Sequence, residues 1–105
     1  MKLDRDLDVH GKGKYALINL RKIPGNPRTA QELAAAILAN PECVEFGKAG
    51  QQDEFFVIKL KDTFSEAALK AYSSEAYPID PEYSDRIFSL AERAGENSPY
   101  CKLPD

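Results

Sequence analysis

The residues best suited to chemistry are the cations in the N-terminal part of the chain. Residues 10–28 contain five Lys or Arg side chains and no acid. Two glycines separate His10, Lys12 and Lys14, a spacing that lets lysine side chains and backbone amides receive a phosphate. Arg28 closes the segment. The candidate anion-binding residues are His10, Lys12, Lys14 and Arg28, although a charge run of this kind is usually a solvated loop.

A second candidate site is the outer face of a predicted sheet, where aromatic residues alternate with cations. This pattern suits single-stranded RNA, because bases stack on rings and phosphates meet Lys and Arg. The net charge of −3 argues against nucleic acid, since phosphate neutralisation dominates that affinity. The apolar residues of this face would otherwise be exposed to water, so we expect the third predicted helix or a second copy of the protein to bury them. The predicted interaction face consists of Tyr15, Leu17, Arg21, Phe55, Val57 and Lys59.

Catalytic and metal-binding patterns are weak in this sequence. The one histidine, His10, has no Ser or Cys beside it to serve as a nucleophile. Three aspartates in residues 4–8 have the spacing of the first ligands of a calcium-binding EF-hand loop, but its glycine and its final Glu are missing. Cys43 and Cys101 do not form the close pair that structural zinc uses. We predict no enzyme, no cofactor and no structural metal, with a small hydrolase that uses His10 as the alternative.

Composition and termini bear on the class of protein. With 43% hydrophobic and 30% charged residues, the chain fits a folded globular domain. No apolar run approaches the roughly 20 residues of a membrane-spanning helix. Acids occupy the N-terminus where a signal peptide would need an apolar core, so we expect a cytoplasmic protein with no membrane contact. We expect Cys43 and Cys101 to be free thiols, since small secreted domains use denser disulfide frameworks.

Strands and helices must position these residues. Residues 14–23 are predicted as one strand, and residues 44–46 and 54–61 as a hairpin around a polar, glycine-bearing loop. Thr29 and Glu32 have capping-box spacing, which indicates the start of a helix. The predicted helices cover residues 30–39, 66–76 and 81–94, with Gly95 as the left-handed stop of the last one. Helical spacing predicts inward-facing positions for Tyr72 and Tyr83.

The element order β-α-β-β-α-α predicts one α+β domain over residues 1–105. In this two-layer domain, the helices pack on one face of a three-stranded, largely antiparallel sheet. Residues 1–13 are a candidate flexible arm, and residues 96–105 form a C-terminal tail in which Tyr100 and Leu103 are expected to dock on the domain. The predicted buried face of the sheet consists of Ile18, Leu20, Phe56, Ile58 and Leu60.

These patterns favour a non-catalytic protein-interaction module. We predict that it binds a protein partner, or associates with itself as a homodimer, through the open face of the sheet. The alternative is a binder of RNA or of a phosphorylated ligand that acts through the basic N-terminal segment.

Overall fold

The structure is a computed structural model that describes residues 13–104. They form two compact units, of which one ends at Val57 and the other begins at Ile58. We call them the N-terminal unit and the C-terminal unit. Almost all of the predicted arm of residues 1–13 lies outside the described residues.

The N-terminal unit contains a short antiparallel ladder between two strands, β1 (Leu17–Ile18) and β2 (Val44–Glu45). The ladder is short because the chain turns immediately after β1. The side chain of Asn19 accepts a hydrogen bond from the backbone N–H of Arg21 at 3.1 Å, and a 3-10 helix follows at Leu20–Lys22. The strand predicted over residues 14–23 is therefore reduced to two residues.

The prediction of a three-stranded sheet is wrong, because the sheet of the described residues contains two strands, β1 and β2. Residues 54–59 are rich in β-forming side chains but enter no ladder among the described residues. Strand propensity describes how well side chains fit a sheet surface, and it requires a neighbouring strand to act on. After β2 the chain turns away at Gly47, which has a φ of +65°, and the ring of Phe55 occupies the space that a Cβ would take there. A contact between Gly47 and the ring of Phe55 therefore takes the place of the predicted hairpin ladder.

The first helix, α1 (Ala30–Ala39), confirms the capping prediction. The Thr29 hydroxyl accepts a hydrogen bond from the backbone N–H of Glu32 at 3.1 Å. The Glu32 carboxylate accepts from the backbone N–H of Arg28 at 3.0 Å, rather than from that of Thr29 as in the predicted capping box. Both bonds satisfy amides at the helix start that have no partner inside the helix.

The C-terminal unit is built on a helical hairpin of α2 (Ser65–Ala76) and α3 (Pro81–Ala91). Two small buried residues, Ser73 and Ser84, lie at the contact between the helices. The Ser73 hydroxyl donates to the backbone oxygen of Ser84 at 2.9 Å, and the Ser84 hydroxyl donates to the backbone oxygen of Ser73 at 2.6 Å. No helix within residues 13–104 has the length and apolarity needed to cross a membrane.

The start of α2 is anchored to the segment that follows α3. The hydroxyl of buried Ser65 lies 2.8 Å from the backbone oxygens of Leu60 and Asp62, and it accepts from the backbone N–H of Gly95 at 3.0 Å. Gly95 has a φ of +59°, which confirms its predicted left-handed conformation. Helix α3 ends at Ala91, three residues before the predicted end.

The buried residues differ from those predicted for the sheet. Leu20 and Phe56 are 59% and 62% exposed, because the three-stranded sheet that would have buried them is not formed. The hydrophobic residues that are buried in the described chain are Ile23, Cys43, Ala91 and Ala94. Among these residues Ile23 is the one large side chain, and those of the C-terminal unit are alanines.

The tail is attached through its backbone. The N–H of Lys102 donates to the oxygen of Lys61 at 2.9 Å, and the oxygen of Lys102 accepts from the N–H of Thr63 at 3.0 Å. Tyr100 and Leu103 remain 76% and 59% exposed, so the predicted docking of these two side chains is wrong.

Candidate interaction surface

The predicted interaction face begins with residues around β1. Tyr15 is half-buried, and the Lys14 ammonium nitrogen lies 5.7 Å from the centre of its ring. Leu17 lies in β1 and is 41% exposed, whereas Arg21 lies in the following 3-10 helix. The turn after β1 thus removes Arg21 from the strand that was expected to carry it.

The other predicted members of the face follow the loop after β2. Phe55 and Val57 are half-buried in the N-terminal unit, and Lys59 belongs to the C-terminal unit. Because residues 54–59 form no strand, these side chains do not share a sheet face with Leu17. Within the described residues, the predicted interaction face therefore does not form a sheet surface.

Two of the four predicted anion-binding residues are described. Lys14 precedes β1, and Arg28 lies just before Thr29, the N-cap of α1, and is exposed. The backbone N–H of Arg28 donates to the carboxylate of Glu32, which places an acid beside the predicted anion site. His10 and Lys12 lie outside the described residues.

The most exposed apolar side chain at the turn of the α2–α3 hairpin is that of Ile79, 88% of which is accessible. The turn itself is ordered by hydrogen bonds, since the backbone oxygen of Ala76 accepts from the N–H groups of Ile79 and Asp80 at 3.0 and 2.9 Å. Tyr77, in the same turn, is 56% exposed. These two hydrogen bonds close the turn, and the side chain of Ile79 extends from it into solvent.

Beside this turn, Tyr72 of α2 and Tyr83 of α3 form a pair. Their hydroxyl oxygens are 2.9 Å apart in a hydrogen bond, and their rings meet edge to face with centres 6.1 Å apart and planes at 64°. Edge-to-face contact is a favourable arrangement for two aromatic rings. The bond across the hairpin fixes both rings while leaving about half of each exposed.

A groove of about 330 Å³ lies between these features. Four of its residues are aromatic or aliphatic, and two are acids. Its lining consists of Tyr72, Glu75, Ala76, Ile79, Asp80 and Tyr83. We call this surface the hairpin groove.

The hairpin groove lies in an acidic part of the chain. Residues 71–85 contain four acids and no Lys or Arg: Glu75, Asp80, Glu82 and Asp85. Within the described residues none of these carboxylates has an ion-pair partner. One oxygen of Asp80 caps α3 by accepting from the backbone N–H of Tyr83 at 3.1 Å.

The same environment affects the phenol of Tyr83. Its pKa is raised above the ordinary 10.0, first by the hydrogen bond to the Tyr72 hydroxyl, then by desolvation and by the negative charges of Tyr72 and Asp80. The Tyr83 phenol therefore keeps its proton at physiological pH. No three His, Cys, Asp or Glu side chains among residues 13–104 come close enough to hold a metal ion.

Sequence patterns predict inward-facing helix positions for Tyr72 and Tyr83 and indicate no role for Ile79. The signal that could have identified the groove is the apolar character of the turn between two helices, where Tyr77 and Ile79 flank a proline. Turns of this kind normally carry polar residues.

Comparisons with known proteins supply no template for this chain. It matches no protein-family model, no curated protein and no solved structure. The function proposed below therefore depends on the geometry of its own residues.

Proposed function

We propose that this protein is a non-catalytic protein-interaction module and that the hairpin groove is its binding surface. The proposal keeps the class of function expected from the sequence and moves the surface from a sheet face to the turn of a helical hairpin. It is carried by one observation, the 88% exposure of Ile79 beside two tyrosines held by their mutual hydrogen bond.

Burial of Ile79 by a partner would release a substantial free energy. A fully buried isoleucine contributes about 1.5–3 kcal/mol relative to an exposed one. Tyrosine is enriched among the residues that dominate binding, and a ring fixed in advance loses little conformational entropy on association. The hairpin groove thus combines an apolar anchor with two rigid rings.

The charge of the surface favours a different protein over a second copy bound face to face. In a twofold homodimer the same patch meets itself, so Glu75 and Asp80 of one groove would oppose the same two carboxylates of the other. Like charges brought together across an interface cost several kcal/mol. We therefore place the partner in another chain, and self-association becomes an outcome of the test.

The test compares Ile79→Ser with Leu38→Ser. Leu38 lies on α1 and is 84% exposed, so the two variants remove apolar side chains of similar exposure from different units. Proteins captured by the wild type from an extract of the cells that encode it would be identified, purified and titrated against all three forms. We expect Ile79→Ser to weaken binding by at least tenfold and Leu38→Ser to leave it unchanged.

Sedimentation of the wild type and circular dichroism of both variants complete the experiment. A purified partner that binds wild type and Ile79→Ser equally would contradict the assignment of the surface. A wild type that is dimeric, and that becomes monomeric on Ile79→Ser, would replace the separate partner with a second copy.

A further inference from the structure

We propose that the hairpin groove receives an arginine side chain from an extended segment of the partner, an inference that rests on the proposed function. The groove, of about 330 Å³, is at the small end of the roughly 300–1,000 Å³ range of ligand pockets. A groove of this volume holds one large side chain of a partner and is too small for a whole domain surface.

Charge complementarity determines the sign of that side chain. Two of the groove's residues, Glu75 and Asp80, are carboxylates; the flanking cations are Lys70, which pairs with Glu66, and Arg86, and neither lines the groove. Glu75 has no ion-pair partner among the described residues. An incoming cation would thus meet unpaired carboxylates rather than displace an existing ion pair.

The apolar part of the lining distinguishes arginine from a compact cation. Ala76 and Ile79 offer aliphatic surface to the stem of a long side chain, and the rings of Tyr72 and Tyr83 offer aromatic faces to its charged end. A guanidinium is planar, stacks on aromatic rings and donates two parallel hydrogen bonds to a carboxylate. Lysine can provide the charge but neither the stacking plane nor the paired donors.

One feature opposes a cation here, namely the start of α3. The N-terminus of a helix has a partial charge of about +0.5. Asp80 caps that end, and Glu82 lies in its first turn. Two full negative charges at the helix start exceed the opposing half charge, so the surface remains attractive to a cation.

The experiment is a selection of displayed random peptides on the wild-type protein, with removal of every peptide that also binds Ile79→Ser. An enriched peptide would then be synthesised in three forms, with arginine, with lysine or with citrulline at the recurrent position. Citrulline keeps the shape of arginine and lacks its charge. We expect recurrent arginine, and at least tenfold weaker binding of the citrulline form in titration calorimetry.

A paired protein variant locates the contact. Glu75→Gln should weaken the arginine peptide several-fold and leave the citrulline peptide unchanged, whereas Glu66→Gln serves as a control because Glu66 already pairs with Lys70 at 2.8 Å. Enriched peptides without arginine or lysine would overturn the inference while supporting the proposed function. A lysine form that binds as tightly as the arginine form would overturn the choice of arginine. No enrichment on the wild type over Ile79→Ser would overturn both proposals.

Discussion

Ser73 and Ser84 each donate a hydrogen bond to the other's backbone oxygen, and their hydroxyl oxygens lie 2.8 Å apart. Both side chains are buried at the contact between α2 and α3. This reciprocal arrangement satisfies two buried hydroxyls and allows the helices to approach closely. It also sets the hairpin on which Tyr72 and Tyr83 meet, one residue earlier on each helix.

Removal of either serine hydroxyl should destabilise the C-terminal unit. We expect Ser73→Ala or Ser84→Ala to lower the free energy of unfolding by about 1 kcal/mol, the usual net value of a hydrogen bond. The double variant should lose less than the sum, because the two hydroxyls act as one unit. Urea denaturation measures both, and Ser74→Ala, at an exposed position of the same helix, should change stability by no more than about 0.5 kcal/mol. Strict additivity would mean that the two hydroxyls act independently.

A methyl group at Gly95 should destabilise the protein through two separate effects. The φ of +59° disfavours any side chain, and an added Cβ would lie 3.0 Å from the Cβ of Glu66 and 3.2 Å from the backbone oxygen of Thr63. Gly25→Ala provides the control, since Gly25 has a φ of +79° and no atom within 4 Å of its added Cβ. We expect Gly95→Ala to cost more than the roughly 1 kcal/mol of a conformational penalty alone. Hydrogen exchange of the unit that contains each glycine would measure the two costs, and equal costs would exclude the steric effect.

The tyrosine pair should make stability depend on pH at the alkaline end. The raised pKa of Tyr83 means that the folded state keeps its phenol proton above pH 10.0, where the unfolded state has begun to lose it. The folded state then binds more protons, so stability is full below pH about 10 and declines as the pH rises through the folded pKa. Tyr72→Phe removes the largest cause of the shift and should lower the pKa of Tyr83, followed by NMR of the Tyr83 ring protons.

Tyr100→Phe is the control for that titration, because it removes a phenol from the tail and leaves the pair intact. The raised pKa of Tyr83 should persist in this variant. If the pKa of Tyr83 fell there and stayed raised in Tyr72→Phe, the hydrogen bond between Tyr72 and Tyr83 would not be the cause of the raised pKa.

The basic N-terminal segment, residues 10–28, should not make this protein a nucleotide binder. We expect no measurable nucleotide binding in titration calorimetry, and only weak binding to single-stranded RNA. With five cations in contact with phosphates, that RNA binding should weaken about a hundredfold when the salt concentration rises about fourfold. Saturable one-to-one nucleotide binding that is lost in Lys14→Ala would contradict this prediction and favour the phosphorylated-ligand alternative.

Local signals predicted the helices better than the sheet. Helix α1 has its predicted bounds because Thr29 and Glu32 act within one turn and need no other part of the chain. The prediction of a third strand is wrong because a strand needs a neighbouring strand to pair with. The chain instead turns away after β1 at Asn19 and after β2 at Gly47. The composition of residues 54–61 does not indicate either of these turns, because both lie elsewhere in the chain.

The hairpin groove was missed for a related reason. Helical periodicity placed Tyr72 and Tyr83 on inward faces, but the small side chains of Ser73 and Ser84 occupy the contact between the helices instead. Two serines at a buried contact carry no apolar signal in the sequence. Their hydrogen bonds become visible only when α2 and α3 are placed together.

The two cysteines fall one in each unit, and both are free thiols. Cys43 is fully buried in the N-terminal unit, whereas Cys101 is half-buried in the C-terminal unit, with its sulfur 3.6 Å from the hydroxyl oxygen of Thr63. A thiol reagent can modify Cys43 only when its surroundings open. The alkylation rate of Cys43 therefore reports how often the N-terminal unit opens, and the half-buried Cys101 provides an internal reference for a thiol that is already partly accessible.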